Sequence, residues 1–197
     1  MKTLPSLILV IFISVTTEAL ICHFCEDLSG PNCKATKSET CPKDVKKCYT
    51  NLMMEKFGPL TVYQSTRGCQ KGKDLCAGTF SMSSGKTEVH SITKCCEGDH
   101  CNTDQLEIVT PKDLKENGVE CPACNEKEKQ CKSEIYKCTG TQDRCFEFYG
   151  GLYNGEGYDD WTFKGCTTKQ VCDYLESHDG YEVHYTRKDS KIKCTKK

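Results

Sequence analysis

Cys95-Cys96-Glu97-Gly98-Asp99-His100-Cys101-Asn102 closes a run of ten cysteines, and the reading of that run decides the fold. Before it stand Cys22, Cys25, Cys33, Cys41, Cys48, Cys69 and Cys76. A second block, Cys121, Cys124, Cys131, Cys138, Cys145, Cys166, Cys172 and Cys194, nearly repeats the spacing. Both blocks open on Cys-x-x-Cys, then three times leave six or seven residues between successive cysteines, and place twenty residues between their fifth and sixth cysteines. Two copies of one disulfide-built module are the direct expectation from such a repeat.

Ten and eight cysteines allow five bridges and four with no thiol left over, provided the compartment is oxidising. The N-terminus points to such a compartment. Lys2 precedes the apolar run Leu7-Ile8-Leu9-Val10-Ile11-Phe12-Ile13, and Thr17-Glu18-Ala19 offers small residues for a peptidase, so residues 1–19 read as a secretory signal peptide cleaved before Leu20. The uncharged stretch from Thr3 to Thr17 is fifteen residues, short of the roughly 20 of a spanning helix. At the other end, Lys191-Ile192-Lys193-Cys194-Thr195-Lys196-Lys197 has neither the small-residue site nor the hydrophobic tail of a lipid-anchor signal. The expectation is a secreted, extracellular protein without a membrane anchor.

Charge narrows the partners. Residues 20–110 carry 11 basic and 11 acidic side chains, and residues 111–197 carry 15 and 16. Neither half has the basic excess that draws a protein to nucleic acid or an anionic membrane. With one residue in about ten a cysteine, two small domains with slight apolar cores are expected, held by bridges. In the chain-entropy model a bridge closing a loop of about 27 residues limits the unfolded state by roughly 3 to 4 kcal/mol. Several such bridges rival the net stability of a small domain, about 5 to 15 kcal/mol.

The long intercysteine stretches read as hairpins. Tyr49 to Glu55 and Leu60 to Thr66 flank Phe57-Gly58-Pro59, and Thr79 to Met82 returns through Ser84-Gly85-Lys86 to Val89–Thr93. In the second block Phe146 to Tyr149 returns as Trp161 to Lys164 around a tip, Gly150 to Asp160, holding four glycines. Tyr174-Leu175-Glu176 reads as an arm returning through Asp179-Gly180 to Tyr181–Tyr185, and no helix is placed after the signal peptide. Between the blocks residues 103–120, with Pro111 and the Asn117-Gly118 turn signal, read as a linker whose Leu106, Ile108 and Val109 could pack against a neighbouring domain.

Leu20-Ile21-Cys22-His23-Phe24-Cys25 at the mature start and the closing Cys95-Cys96-x4-Cys101-Asn102 resemble the three-finger domains of the Ly6/urokinase-receptor (Ly6/uPAR) type. The resemblance implies an all-β, disulfide-rich fold of two tandem three-finger domains, residues 20–102 and 121–197. It implies the pairs Cys22–Cys48, Cys25–Cys33, Cys41–Cys69, Cys76–Cys95 and Cys96–Cys101, then Cys121–Cys145, Cys124–Cys131, Cys138–Cys166 and Cys172–Cys194. Adjacent cysteines seldom bond to each other, so Cys95 and Cys96 serve different bridges. The second block lacks the final Cys-x4-Cys-Asn loop. A complete module followed by one without its last bridge is similar to the gamma-type phospholipase A2 inhibitors and to the sodefrin-precursor-like pheromone factors.

Chemistry of other kinds finds little support. Cys22-x-x-Cys25 and Cys121-x-x-Cys124 would suit zinc or redox work in a cytosolic chain, but a secretory signal assigns them to disulfides. His23, His90, His100, His178 and His184 take no metal-ligand spacing, and there is no phosphate loop, Gly-x-Ser-x-Gly elbow, calcium loop or glycosylation sequon. No catalytic residue, metal or cofactor is expected, and the protein is read as a non-enzyme. Binding is the expected activity. Tyr149, Tyr153, Tyr158 and Trp161 interleave with Asp159 and Asp160 on the second-block tip, the residue mixture that supplies contact energy at interfaces. The resemblance implies a protein partner, either a secreted phospholipase A2 that is inhibited or a receptor addressed by a pheromone-like ligand, with an orphan Ly6-type binder as the plainer reading. A homo-oligomer is one form it allows.

Overall fold

The computed structural model describes residues 19–71, 76, 78–109, 114–153, 155–177, 187 and 189–196. Residues 1–18 of the expected signal peptide and the strand expected over 181–185, with its turn at 179–180, lie outside the described residues.

Alternation of buried and exposed side chains builds strands throughout. The first module holds β1 (Ile21–Asp27), β2 (Lys37–Thr40), β3 (Cys48–Phe57), β4 (Leu60–Cys69), β5 (Thr79–Ser84) and β6 (Thr87–Cys96). The second holds β7 (Glu116–Glu126), β8 (Glu134–Thr139), β9 (Arg144–Tyr153), β10 (Tyr158–Thr167), α1 (Lys169–Ser177) and β11 (Lys191–Lys196). β3 is the spine of the first module, paired over its whole length with β4 on one side and β6 on the other. Its Leu52 and Met54 are buried while their neighbours are only half so, the signature of a strand with one covered face.

Nine disulfides stand where a larger protein would have an apolar core. In the first module they are Cys22–Cys48, Cys25–Cys33, Cys41–Cys69, Cys76–Cys95 and Cys96–Cys101. In the second they are Cys121–Cys145, Cys124–Cys131, Cys138–Cys166 and Cys172–Cys194. The buried cluster of the first module is four half-cystines with Val45, and that of the second is four half-cystines alone, flanked by Val119 and Tyr136. Hairpins radiate from these two knots.

The modules are not beads on a string. β10 pairs antiparallel with β5, Cys166 opposite Ser83 and Thr167 opposite Met82, so one ladder runs β11-β9-β10-β5-β6-β3-β4-β1-β2. β7 and β8 branch from it beside β10.

Three sequence expectations need correction. Residues 169–177 form a helix, where Tyr174-Leu175-Glu176 was expected as a strand arm. Its N-terminus is capped from a distance, the Lys169 N–H donating to Asp143 Oδ1 at 3.0 Å, while the Cys172–Cys194 bridge ties its inner face to β11. The glycine-rich tip is shorter than expected, because β9 continues through Gly150 and Gly151 to Tyr153. These glycines are present because another segment crosses there: a Cβ on Gly150 would lie 2.1 Å from Ser190 Oγ, and one on Gly151 3.0 Å from Arg187. Finally, residues 116–120 of the expected linker already belong to β7. Asn117-Gly118 makes a bulge rather than a turn, with Gly118 at φ 86° and the Asn117 amide donating to the carbonyls of Gly140 and Gln142 at 3.0 and 2.8 Å. Upstream, Leu106 is buried, lining a depression with Lys34, Leu52 and Arg67 of the first module, and Val109 is exposed.

Candidate functional site

The second-module hairpin brings only part of the expected contact set together. Strand alternation sends Tyr149 and Asp160 to one face and Asp159 and Trp161 to the other. On the first face the Tyr149 hydroxyl lies 3.5 Å from Asp160 Oδ2, and Arg187 donates to Asp160 Oδ1 at 2.8 Å and to Asp189 at 2.6 Å. That guanidinium holds the Asp189 carboxyl below its ordinary range. On the second face Trp161 stacks on Phe163 with centroids 5.5 Å apart, and Phe163 meets Phe148 at 6.0 Å. Lys127 pairs with Asp159 at 2.8 Å. Tyr158 is exposed, and its backbone pairs with that of Tyr153. Most of these groups therefore support their own hairpin.

The first-module hairpin differs. Phe57 and Leu60 face each other across the β3–β4 turn and expose 47% and 58% of their surface. Gly58 sits at φ 58°, a left-handed conformation in which a side chain is strained, and the ring of Pro59 fixes φ at the next position. The tip is also held laterally. Phe57 pairs with Thr87 in β6, and Gly58 N–H donates to Lys86 O at 3.0 Å. Two large apolar side chains thus stand in water on a paired scaffold, with Lys86 beside them. The residues were visible in the sequence as Phe57-Gly58-Pro59-Leu60, but a turn containing apolar residues does not announce that they point outward.

Surface depressions offer little chemistry. One, lined by Lys34, Leu52, Arg67 and Leu106, spends its guanidinium on backbone carbonyls, Arg67 donating to Asn102 O at 3.1 Å and Asp104 O at 2.8 Å. Two sulfur triads, Cys22 with Cys41 and Cys69 and Cys121 with Cys138 and Cys166, have the closeness of metal ligands. Their sulfurs are committed to disulfides and supply no thiolate.

The u-PAR/Ly-6 domain model matches residues 18–104 and again 117–197. Phospholipase A2 inhibitor NAI of Notechis ater is 27% identical over 164 residues, 82% of this chain and 80% of its own. A phospholipase A2 inhibitor gamma subunit of Gloydius brevicaudus siniticus is 32% identical over 89 residues, 45% of this chain and 44% of its own. Protein RoBo-1 of Rattus norvegicus is 30% identical over 152 residues, 73% of this chain and 59% of its own. With two matched domains spanning both disulfide knots, the chain belongs to the u-PAR/Ly-6 domain family.

Proposed function

We propose that this protein is a secreted, non-enzymatic binder that inhibits a secreted phospholipase A2 by occupying its surface. The observation that carries the reading is the alignment with a phospholipase A2 inhibitor across 82% of the chain, through both modules rather than one. Its physical side is consistent. Nine disulfides require an oxidising compartment, and rigid hairpins from disulfide knots bind with little ordering cost.

The contact surface includes the first-module tip, where Phe57 and Leu60 are exposed beside a laterally paired turn. An enzyme that draws phospholipid from an aggregate must present an apolar face to receive it, and such a face is what these side chains fit. Purified protein titrated against a panel of acidic and basic secreted phospholipases should lower hydrolysis of mixed micelles in proportion to complex formed. Absence of both binding and inhibition across the panel removes this reading and leaves the receptor-ligand reading in its place.

A further inference from the structure

Hydroxyls and amides, with few apolar groups, form the seam between the modules. Ser84 Oγ lies 2.6 Å from Cys124 O and 2.9 Å from Lys164 O. Gln142 reaches from the second module to donate through Nε2 to Ser81 and Ser83 at 2.8 and 3.1 Å. Thr167 Oγ1 and Thr168 N both donate to Ser81 O, at 3.1 and 3.0 Å. Water can replace each of these partners at small net cost, so such a seam is easier to part than an apolar one.

Beneath it lies a buried pair of ionisable side chains. In the β5–β6 register Ser83 stands opposite Glu88 and Ser81 opposite His90, and both ionisable residues are buried, 7% and 5% exposed. Glu88 Oε1 accepts from Lys56 Nζ at 3.0 Å. Glu88 Oε2 and His90 Nε2 face each other at 3.9 Å, and each is buried without a hydrogen-bond partner. Tyr136, which packs on the second module's disulfide knot, sets its hydroxyl against Ser83 within the field of Glu88. The groups around the pair are thus Lys56 from β3, Tyr136 from β8, and the uncharged Ser81, Ser83 and Gln142.

We propose that His90, set against Glu88, forms an acid-sensitive clasp, and that a proton on His90 loosens the seam between the two modules. With His90 neutral, Glu88 and Lys56 balance each other. A proton on His90 adds a third charge where water is excluded. That excess is relieved when the second module lifts and water reaches the β5 face. Burial already lowers the proton affinity of His90; Glu88 opposes that and Lys56 reinforces it. The cross-module bonds make the joint separable, and the pair makes it responsive.

Amide hydrogen exchange on the full chain tests this. The Thr168 amide reports the seam, and the amides of Leu52 and Ser65 in the β3–β4 ladder report the first module itself. As pH moves from above to below the ordinary histidine value of 6.5, seam protection, corrected for intrinsic exchange, should fall by about tenfold or more relative to the ladder. In His90→Gln the ratio should stay flat. If that variant folds poorly, the wild-type ratio decides alone. A constant wild-type ratio, or a His90→Gln profile that follows the wild type, overturns the clasp.

Discussion

Asn102 and His23 are joined by two opposed hydrogen bonds: the His23 N–H donates to Asn102 Oδ1 at 3.0 Å, and Asn102 Nδ2 donates to His23 O at 2.9 Å. Nδ2 also reaches Tyr49 O at 3.0 Å. One buried side chain therefore satisfies backbone groups of β1 and β3, just after the small Cys96–Cys101 loop.

Asn102→Ala should destabilise the protein by about 2 to 4 kcal/mol, since it leaves buried backbone groups without partners instead of removing a balanced pair. Denaturant unfolding under oxidising conditions measures it. Because Asn102→Asp preserves the acceptor and loses the donor, it should also be destabilising at neutral pH. A loss below about 0.5 kcal/mol in both would show that water replaces the amide.

Gly165→Ala attacks the seam through the backbone. A Cβ there would lie 1.8 Å from Ser83 O, and a strand carbonyl cannot swing aside as a side-chain end can. The expected cost is on the order of 3 kcal/mol, or a parting of β10 from β5. Limited proteolysis between the modules should quicken in this variant. Gly155→Ala is the control: its φ of 99° brings strain but nothing lies within 4 Å of the new methyl, so the modules should remain joined.

Overall stability should follow pH in a direction the buried pair dictates. The His90 pKa lies below 6.5 in the folded state, so its stabilising contribution is complete above that value. It is lost as pH falls toward the folded pKa, where the unfolded chain binds a proton that the native one refuses. Tyr136 acts at the alkaline end. Burial, and then Glu88, raise its pKa above 10.0, so its contribution is complete below that value and is lost as pH rises through the folded pKa. Thermal melts of wild type against His90→Gln should show the acid slope reduced, and Tyr136→Phe should reduce the alkaline slope.

The residues also show why some of the structure was legible in advance. Cysteine spacing is a long-range constraint written locally, so two modules of one all-β type could be read from Cys22 to Cys194. The helix at Lys169–Ser177 could not, because its cap, Asp143, is supplied from another part of the chain. Seam residues were hidden for a related reason. Ser81, Ser83, Ser84, Thr167 and Thr168 have the composition of water-facing strand positions, and only the β5–β10 pairing buries them. For the tips the contrast is sharper. Aromatic content marks Tyr149 and Trp161 in the sequence, whereas two exposed apolar residues set opposite each other across one turn, Phe57 and Leu60, are a property of the folded chain.

That contrast yields a decisive pair of variants. Phe57→Ser with Leu60→Ser removes apolar surface that is about half exposed, so stability should change by no more than about 1 kcal/mol. If the first-module tip contacts the phospholipase, affinity should fall by roughly thirtyfold to a thousandfold, as truncating one or two anchors costs about 2 to 4 kcal/mol. Trp161→Ala should behave in the opposite sense, losing its stacking on Phe163 and lowering stability by about 1 kcal/mol or more, with affinity little changed for the molecules that remain folded. Calorimetric titration together with thermal melts separates the two effects. Loss of affinity in Trp161→Ala alone would move the contact to the second module, and the first-module tip would then need another explanation for its exposed side chains.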